Sequence, residues 1–95
     1  MLDNKGEAKK ALVLLAIEKS LLTFGEPVYE KVTYNLKNEY NCYLSDCYAH
    51  PEYLSEILKK LYGDVHRQII KSINKELEEF SYAEPVEKFL EVINR

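Results

Sequence analysis

Two cysteines and two histidines are the side chains of this sequence that could together hold a metal ion. Cys42, Cys47 and His50 lie in the crowded segment 41–53, NCYLSDCYAHPEY, and His66 follows it. Two thiolates and two imidazoles form the ligand set of a tetrahedral structural zinc site. Cys47 and His50 could chelate on one helical turn, but the cysteines lack the glycine of a tight zinc knuckle. The spacing therefore supports zinc weakly, and whether these four residues bind metal stays open.

The same segment allows a redox interpretation and a structural interpretation. A redox pair has little support, because no basic residue adjoins either thiol and the C-x-x-C spacing is absent. In the structural interpretation, Ser45 or Asp46 caps one helical turn, and the free cysteines act as small buried hydrophobic side chains. Pro51 then sets the direction of the next helix. This interpretation accounts for most of the residues, so we predict no bound metal and no cofactor.

Glycine and proline residues divide the chain into the elements that must position these side chains. Glycine suits the residue after a helix and proline suits its first turn, which predicts five helices at 7–24, 27–40, 51–62, 64–81 and 85–94. Apolar stripes at the helical period support the last four, and the longest stripe comprises Val65, Ile69, Ile73, Leu77 and Phe80. We predict an all-α fold, a compact array of about five helices, with one domain at 7–95 after a flexible N-terminus at 1–6.

The first predicted helix differs from the others because Ala11–Ile17, ALVLLAI, is apolar all the way around. A helix that is apolar on every side must be buried on every side, so we predict that it is the central strut of the array. If the other helices leave a stripe uncovered, that stripe would be a homodimer interface. The mass of the protein in solution distinguishes the two arrangements.

Composition and charge limit the classes of function. The 95-residue chain has 13 basic and 16 acidic residues, so a long nucleic-acid or anionic-membrane surface is not indicated. No glycine-rich phosphate loop and no serine, histidine and acid set is evident, so we predict that the protein is not an enzyme. The apolar run is too short to span a bilayer, no secretory signal is evident, and two cysteines are read as reduced thiols. We therefore expect a cytoplasmic protein without a membrane contact.

Tyrosines are the candidate residues for contact with a protein partner. Tyr34 points away from the apolar stripe of its helix, and Tyr43 and Tyr48 lie in a turn that offers little cover. Tyrosine presents a large rigid surface with a polar tip and is enriched where proteins meet. Tyr29, Tyr40 and Tyr53 are expected to cover the small core instead. We predict a protein-interaction module that binds through Tyr34, Tyr43 and Tyr48.

The alternative is nucleic-acid binding by a helix-turn-helix-like unit formed by the third and fourth helices. The segment EILKKLYGDVHRQIIKSINK can be read as a helix, a short glycine turn and a second helix. Arg67, Lys71 and Lys75 would lie on the solvent face of the second helix, where they could meet phosphates. Acidic residues at the end of that helix and the net negative charge count against this alternative.

Two long stretches of the sequence also carry a resemblance to a family. The stretches are FGEPVYEKVTYNLKNEY and LSDCYAHPEYLSEILKKLYGDVHRQIIKSINKEL, and their most specific pieces are Gly25-Glu26-Pro27, the spacing of Cys47, His50, Pro51 and Leu54, and Tyr62-Gly63. They resemble the archaeal nitroso-type output domain family, small helical domains associated with signalling, over about residues 12–93. The resemblance implies an archaeal cytoplasmic setting and a signalling output role. It implies no catalytic residues, and Cys42 is not part of the pattern.

Overall fold

Helices and 3₁₀ turns, joined by short connections, make up the part of the chain that the structure describes. The computed structural model describes residues 4–78 and 84–95, with side chains for 8–78 and 86–95. Along the chain lie α1 (Asn4–Thr23), α2 (Glu26–Tyr40), the first 3₁₀ turn (Leu44–Tyr48), α3 (Pro51–Tyr62), the second 3₁₀ turn (Gly63–Val65), α4 (His66–Leu77) and α5 (Glu84–Ile93). The described residues contain no strand, which confirms the prediction of an all-α fold.

Breaks between helices occur where glycine was expected to permit them. Gly25 has φ 123° before α2 and Gly63 has φ 53° after α3, conformations that glycine adopts at little cost. Asn41 caps α2 in the left-handed region with φ 51°, and its backbone N–H donates to the carbonyl of Lys37 at 3.0 Å. The ends of α1, α2 and α3 are therefore each followed by a residue suited to the reversal of the chain.

Some predicted bounds differ from the structure. Residues 4–6, predicted as part of a flexible N-terminus, belong to α1, whereas residues 1–3 lie outside the described residues. The second 3₁₀ turn occupies Gly63–Val65, so the fourth helix begins at His66. Val65 is exposed, because the tighter 3₁₀ turn rotates it out of the apolar stripe to which the sequence assigned it. Phe80, also assigned to that stripe, lies outside the described residues.

Burial of α1 is one-sided, so the prediction that Ala11–Ile17 is hidden on every side is wrong. Val13 and Ile17 are fully buried, but Leu15 is 53% exposed and Leu22 is 49% exposed. α2, α4 and the first 3₁₀ turn pack against α1 and leave one flank uncovered. Enclosing a helix takes a ring of about six neighbours of its own width, more than the four other helices that the structure describes. Self-association through the flank of Leu15 and Leu22 stays a prediction.

A single apolar cluster joins the elements. α3 contributes Leu54, Ile57 and Leu58, which are all inaccessible to water. From the other elements the cluster takes Val13, Ala16, Ile17, Leu21, Val32, Leu36, Cys42, Leu44, Cys47, Ile69, Ile70, Ile73, Leu77, Val86, Phe89 and Ile93.

Tyrosine rings and a serine pair border this cluster. Tyr29, Tyr40 and Tyr53 are half-buried and packed against it, which confirms that these rings cover the core. The hydroxyl of Ser72 on α4 donates to Ser20 on α1 at 3.0 Å, so the buried hydroxyl of Ser20 has a partner. None of the described helices is both long enough and apolar enough to cross a bilayer.

Candidate functional site

Both thiols of the crowded segment are buried in the core. Cys47 is inaccessible to water and Cys42 nearly so, and both belong to the apolar cluster. A carboxylate oxygen of Asp46 accepts a hydrogen bond from the backbone N–H of Tyr43 at 2.8 Å and so caps the first 3₁₀ turn. The cap and the burial agree with the structural interpretation of this segment.

Burial also changes the acidity of these thiols. It raises the pKa of Cys47 to about 12, and the nearby Cys42 and Asp46 add to the effect because a second negative charge would repel a thiolate. Burial, reinforced by Asp46, likewise raises the pKa of Cys42. The thiolate is the form that attacks electrophiles and ligates metals, so both cysteines are held in their unreactive form at neutral pH.

The two histidines make separate local contacts instead of joining the thiols. Nδ1–H of His50 donates to the carboxylate of Glu52 at 3.2 Å, and the His50 ring stacks on Tyr53 with centroids 4.7 Å apart. Nδ1–H of His66 donates to the carbonyl of Gly63 at 2.7 Å. Among the described residues no three histidine, cysteine or acidic side chains converge as a metal site would require. The residues considered as zinc ligands are therefore not brought together.

A column of three stacked rings connects the crowded segment to α2 and α3. Tyr40 at the end of α2 stacks on Tyr53 of α3 with centroids 4.2 Å apart and planes within 8° of parallel. His50 covers the opposite end of the column, just before Pro51 begins α3. Stacked rings contribute beyond their buried area, so the column helps to hold the end of α2 against the start of α3.

The two predicted contact tyrosines on the α2 side of the molecule lie at its surface. Tyr34 is 66% exposed and Tyr43 is 64% exposed. Lys37 links them: it lies three residues after Tyr34 on α2, and its Nζ lies 4.6 Å from the centroid of the Tyr43 ring and 3.3 Å from the Tyr43 hydroxyl. We call the surface formed by Tyr34, Lys37 and Tyr43 the tyrosine face.

Tyr48, the third predicted contact residue, has a different environment. It is half-buried and packs against the core, and it borders a small hollow with Lys88, Phe89 and Val92 of α5. Tyr48 is therefore not part of the tyrosine face.

Basic residues from three parts of the chain meet around one cavity of about 500 Å³. Arg67 and Lys71 come from α4, Lys59 from the last turn of α3, and Arg95 from the residues after α5. We call it the cationic cavity. Lys75, the third basic residue predicted on this helix, is exposed but does not line the cavity. The predicted set Arg67, Lys71 and Lys75 is thus divided between a concave site and an open surface.

Polar side chains hold one wall of the cationic cavity in place. Asn74 of α4 and Asn94 exchange two amide hydrogen bonds, of 2.9 and 2.8 Å. The second N–H of Asn94 donates to the carbonyl of Leu90 at 2.6 Å, whereas the second N–H of the Asn74 amide has no partner among the described residues. Because Nδ1 of His66 carries the proton bonded to Gly63, its Nε2 is left for a ligand.

The sequence contains one local signal for this cavity, the four-residue spacing of Arg67 and Lys71 on one helix face. Lys59 precedes Arg67 by eight residues but belongs to α3, and Arg95 follows Lys71 by 24 residues, so the packing of α3 and α5 beside α4 is what brings them near. Reasoning from the sequence therefore missed Lys59, Arg95 and the asparagine pair.

Comparison with known proteins adds no assignment to either surface. The chain matches no family model, no curated protein and no solved structure.

Proposed function

We propose that this domain is a non-catalytic module that binds a protein partner through the tyrosine face. The observation that carries the proposal is the exposure of two tyrosine rings, each about two-thirds accessible, on either side of Lys37. Water-exposed rings of this size gain much apolar contact on docking while ordering few rotatable bonds.

The surroundings of the two rings indicate the chemistry of the partner. Lys37 is held against Tyr43, and the remaining ammonium protons are available to a carboxylate. The outward side of α2 around Tyr34 is exposed over its whole length, at Pro27, Glu30, Lys31, Lys37 and Asn38. A partner that fits this face places apolar groups on the two rings and an acidic side chain near Lys37.

A binding role agrees better than catalysis with the state of the two thiols. Cys42 and Cys47 are the strongest nucleophiles of the chain, but they are buried and their pKa values are raised. The signalling output role, the archaeal origin and the cytoplasmic location rest on the family resemblance and on composition, and they remain predictions.

The test compares three forms of the protein as bait in an extract of its native cell. The variant carrying Tyr34→Ser and Tyr43→Ser removes the tyrosine face, and Val65→Ser removes an exposed apolar side chain elsewhere. We expect one protein to be retained by the wild type and by Val65→Ser, and to be lost by about tenfold or more from the double variant.

Circular dichroism melting accompanies each capture experiment. We expect the double variant to melt within a few degrees of the wild type, because both rings are exposed. If the double variant unfolds, or if every captured protein binds it as well as the wild type, the tyrosine face is not the docking surface.

A further inference from the structure

We propose that the cationic cavity binds a small ligand that carries phosphate groups. The inference is independent of the tyrosine face, since none of the residues that line the cavity belongs to that face. It rests on the balance of charge around the cavity, on hydrogen-bond donors of the types that bind phosphate, and on the size and lining of the cavity.

The charge balance of the cavity departs from that of the whole chain. The protein carries a net charge of −3, yet four basic side chains line this space and no acidic side chain does. In the part of the chain that the structure describes, none of Lys59, Arg67, Lys71 and Arg95 is in an ion pair. The neighbouring Lys60, by contrast, is bonded to the carboxylate of Glu39. Four unpaired cations around a hollow produce a positive potential that a multiply charged anion would neutralise.

Phosphate is the anion whose geometry these donors match. Arg67 and Arg95 each offer a planar fork that can bind two oxygens of one phosphate, and Lys59 and Lys71 add point charges. The free N–H of Asn74 supplies a neutral donor on the wall. A carboxylate has only two oxygens, so it would leave more of these donors without a partner than a phosphate would.

The dimensions and apolar lining of the cavity favour a small molecule over a nucleic-acid strand. A volume of about 500 Å³ lies within the range of small-ligand pockets. Ile70 and Ile93 provide an apolar patch for the uncharged part of a ligand, but no aromatic ring lines the space. Proteins that bind single strands stack the bases on aromatic rings, and this cavity offers none.

Isothermal titration with inorganic pyrophosphate at low salt tests the proposal. We expect the wild type to bind pyrophosphate, and the Arg67→Ala and Lys71→Ala variants each to bind it about tenfold more weakly. Lys75→Ala is the matched control, because Lys75 is exposed on the same helix and lies outside the cavity. We expect that variant to change the affinity by less than about twofold.

Two further titrations separate the chemical classes of ligand. Citrate carries comparable charge on carboxylates and should bind at least about fivefold more weakly than pyrophosphate. A short DNA duplex should bind no more tightly than pyrophosphate does. The proposal is overturned if pyrophosphate does not bind, if citrate binds equally well, or if Lys75→Ala weakens binding as much as Lys71→Ala. Duplex binding that is tighter than pyrophosphate binding and depends on Lys75 overturns it in favour of a nucleic-acid surface.

Discussion

The crowded turn at 41–53 and the cationic cavity place their polar side chains in opposite environments. In the turn the thiols are buried, Asp46 caps a backbone N–H, and His50 is held by an acid and a ring. In the cavity, Arg67 and Lys71 are exposed and in no ion pair among the described residues. A side chain whose interactions are already made within the fold stabilises the fold, whereas one left without a partner in a concave space is available to a ligand. The four predictions that follow test this difference.

The largest expected effect is the protection of Cys47 from alkylation. In the wild type, burial, with smaller contributions from Cys42 and Asp46, raises the pKa of Cys47 from 9.0 to about 12. A Cys42→Ser variant leaves Cys47 as the single thiol and keeps its burial, the largest cause, while it removes the contribution of Cys42. At pH 8 we expect the folded variant to react with iodoacetamide at least about a hundredfold more slowly than the same variant unfolded in urea, because burial makes the thiolate rarer in the folded state. Equal rates in the two states would show that the turn is open to solvent.

The raised pKa of Cys47 also predicts how the free energy of unfolding depends on pH. Since the pKa of Cys47 is higher in the folded state, the unfolded chain releases its proton first as the pH rises. The contribution of the neutral Cys47 thiol to the free energy of unfolding is present in full below pH 9 and is lost progressively as the pH rises toward 12. Urea unfolding at pH 8 and pH 10 should show this loss, and a Cys47→Ala variant should lack the part that is due to this thiol.

A smaller effect is expected from Leu44→Ala in the first 3₁₀ turn. Leu44 is buried, and truncating it should lower the free energy of unfolding by about 2–4 kcal/mol through lost transfer energy and a cavity. Urea unfolding measures the change, and the neighbouring exposed Tyr43→Ala is the control, with an expected loss below about 1 kcal/mol. Pyrophosphate affinity should stay within about twofold, because Leu44 does not line the cavity.

The smallest expected effect is on the free energy of unfolding of a Lys71→Ala variant. This variant should be more stable than the wild type, whereas Leu44→Ala should be less stable. Removing one of four like charges relieves repulsion, so Lys71→Ala should raise the free energy of unfolding by a few tenths of a kcal/mol at low salt. Lys19→Ala is the matched control, since Lys19 is also helical and exposed but lies 3.4 Å from the carboxylate of Glu76. We expect it to cost about 0.2–1 kcal/mol.

Raising the salt concentration gives a further test of the comparison between Lys71→Ala and Lys19→Ala. Both changes should shrink toward zero near 1 M salt, where charges more than about 3 Å apart are screened. A Lys71→Ala variant that is destabilised as much as Lys19→Ala would mean that Lys71 has a partner within the fold. The cavity would then resemble the turn, and the distinction between the two regions would fail.

Local sequence patterns were sufficient to predict the helical segments and some of the residues of the candidate surfaces. Gly25 and Gly63 mark helix ends because their positive φ values suit few other residues, and this preference acts over only a few residues. The exposure of Tyr34 follows from its position opposite Val32 on one helix. Tyr48 was expected to be comparably available, but its ring is half-buried against the core, whose residues come from several elements of the chain.

The apolar segment Ala11–Ile17 shows why burial could not be predicted in the same way. Its composition predicts a buried helix, and Val13 and Ile17 are indeed fully buried. Whether Leu15 is also covered depends on how many elements reach that flank, which is a property of the whole packing arrangement. The neighbours of α1 lie on its other side, and the local sequence does not contain that information.

The sequence by itself determined that the chain is helical, where its helices break, and which face of each later helix is apolar. These properties depend on the backbone preferences of glycine and proline and on a period of 3.6 residues. Only the tertiary structure decided that the thiols are protected and that Lys59 and Arg95 join Arg67 and Lys71 around one cavity. Burial and electrostatic potential depend on distances in space between residues far apart in the chain, and helix packing sets those distances.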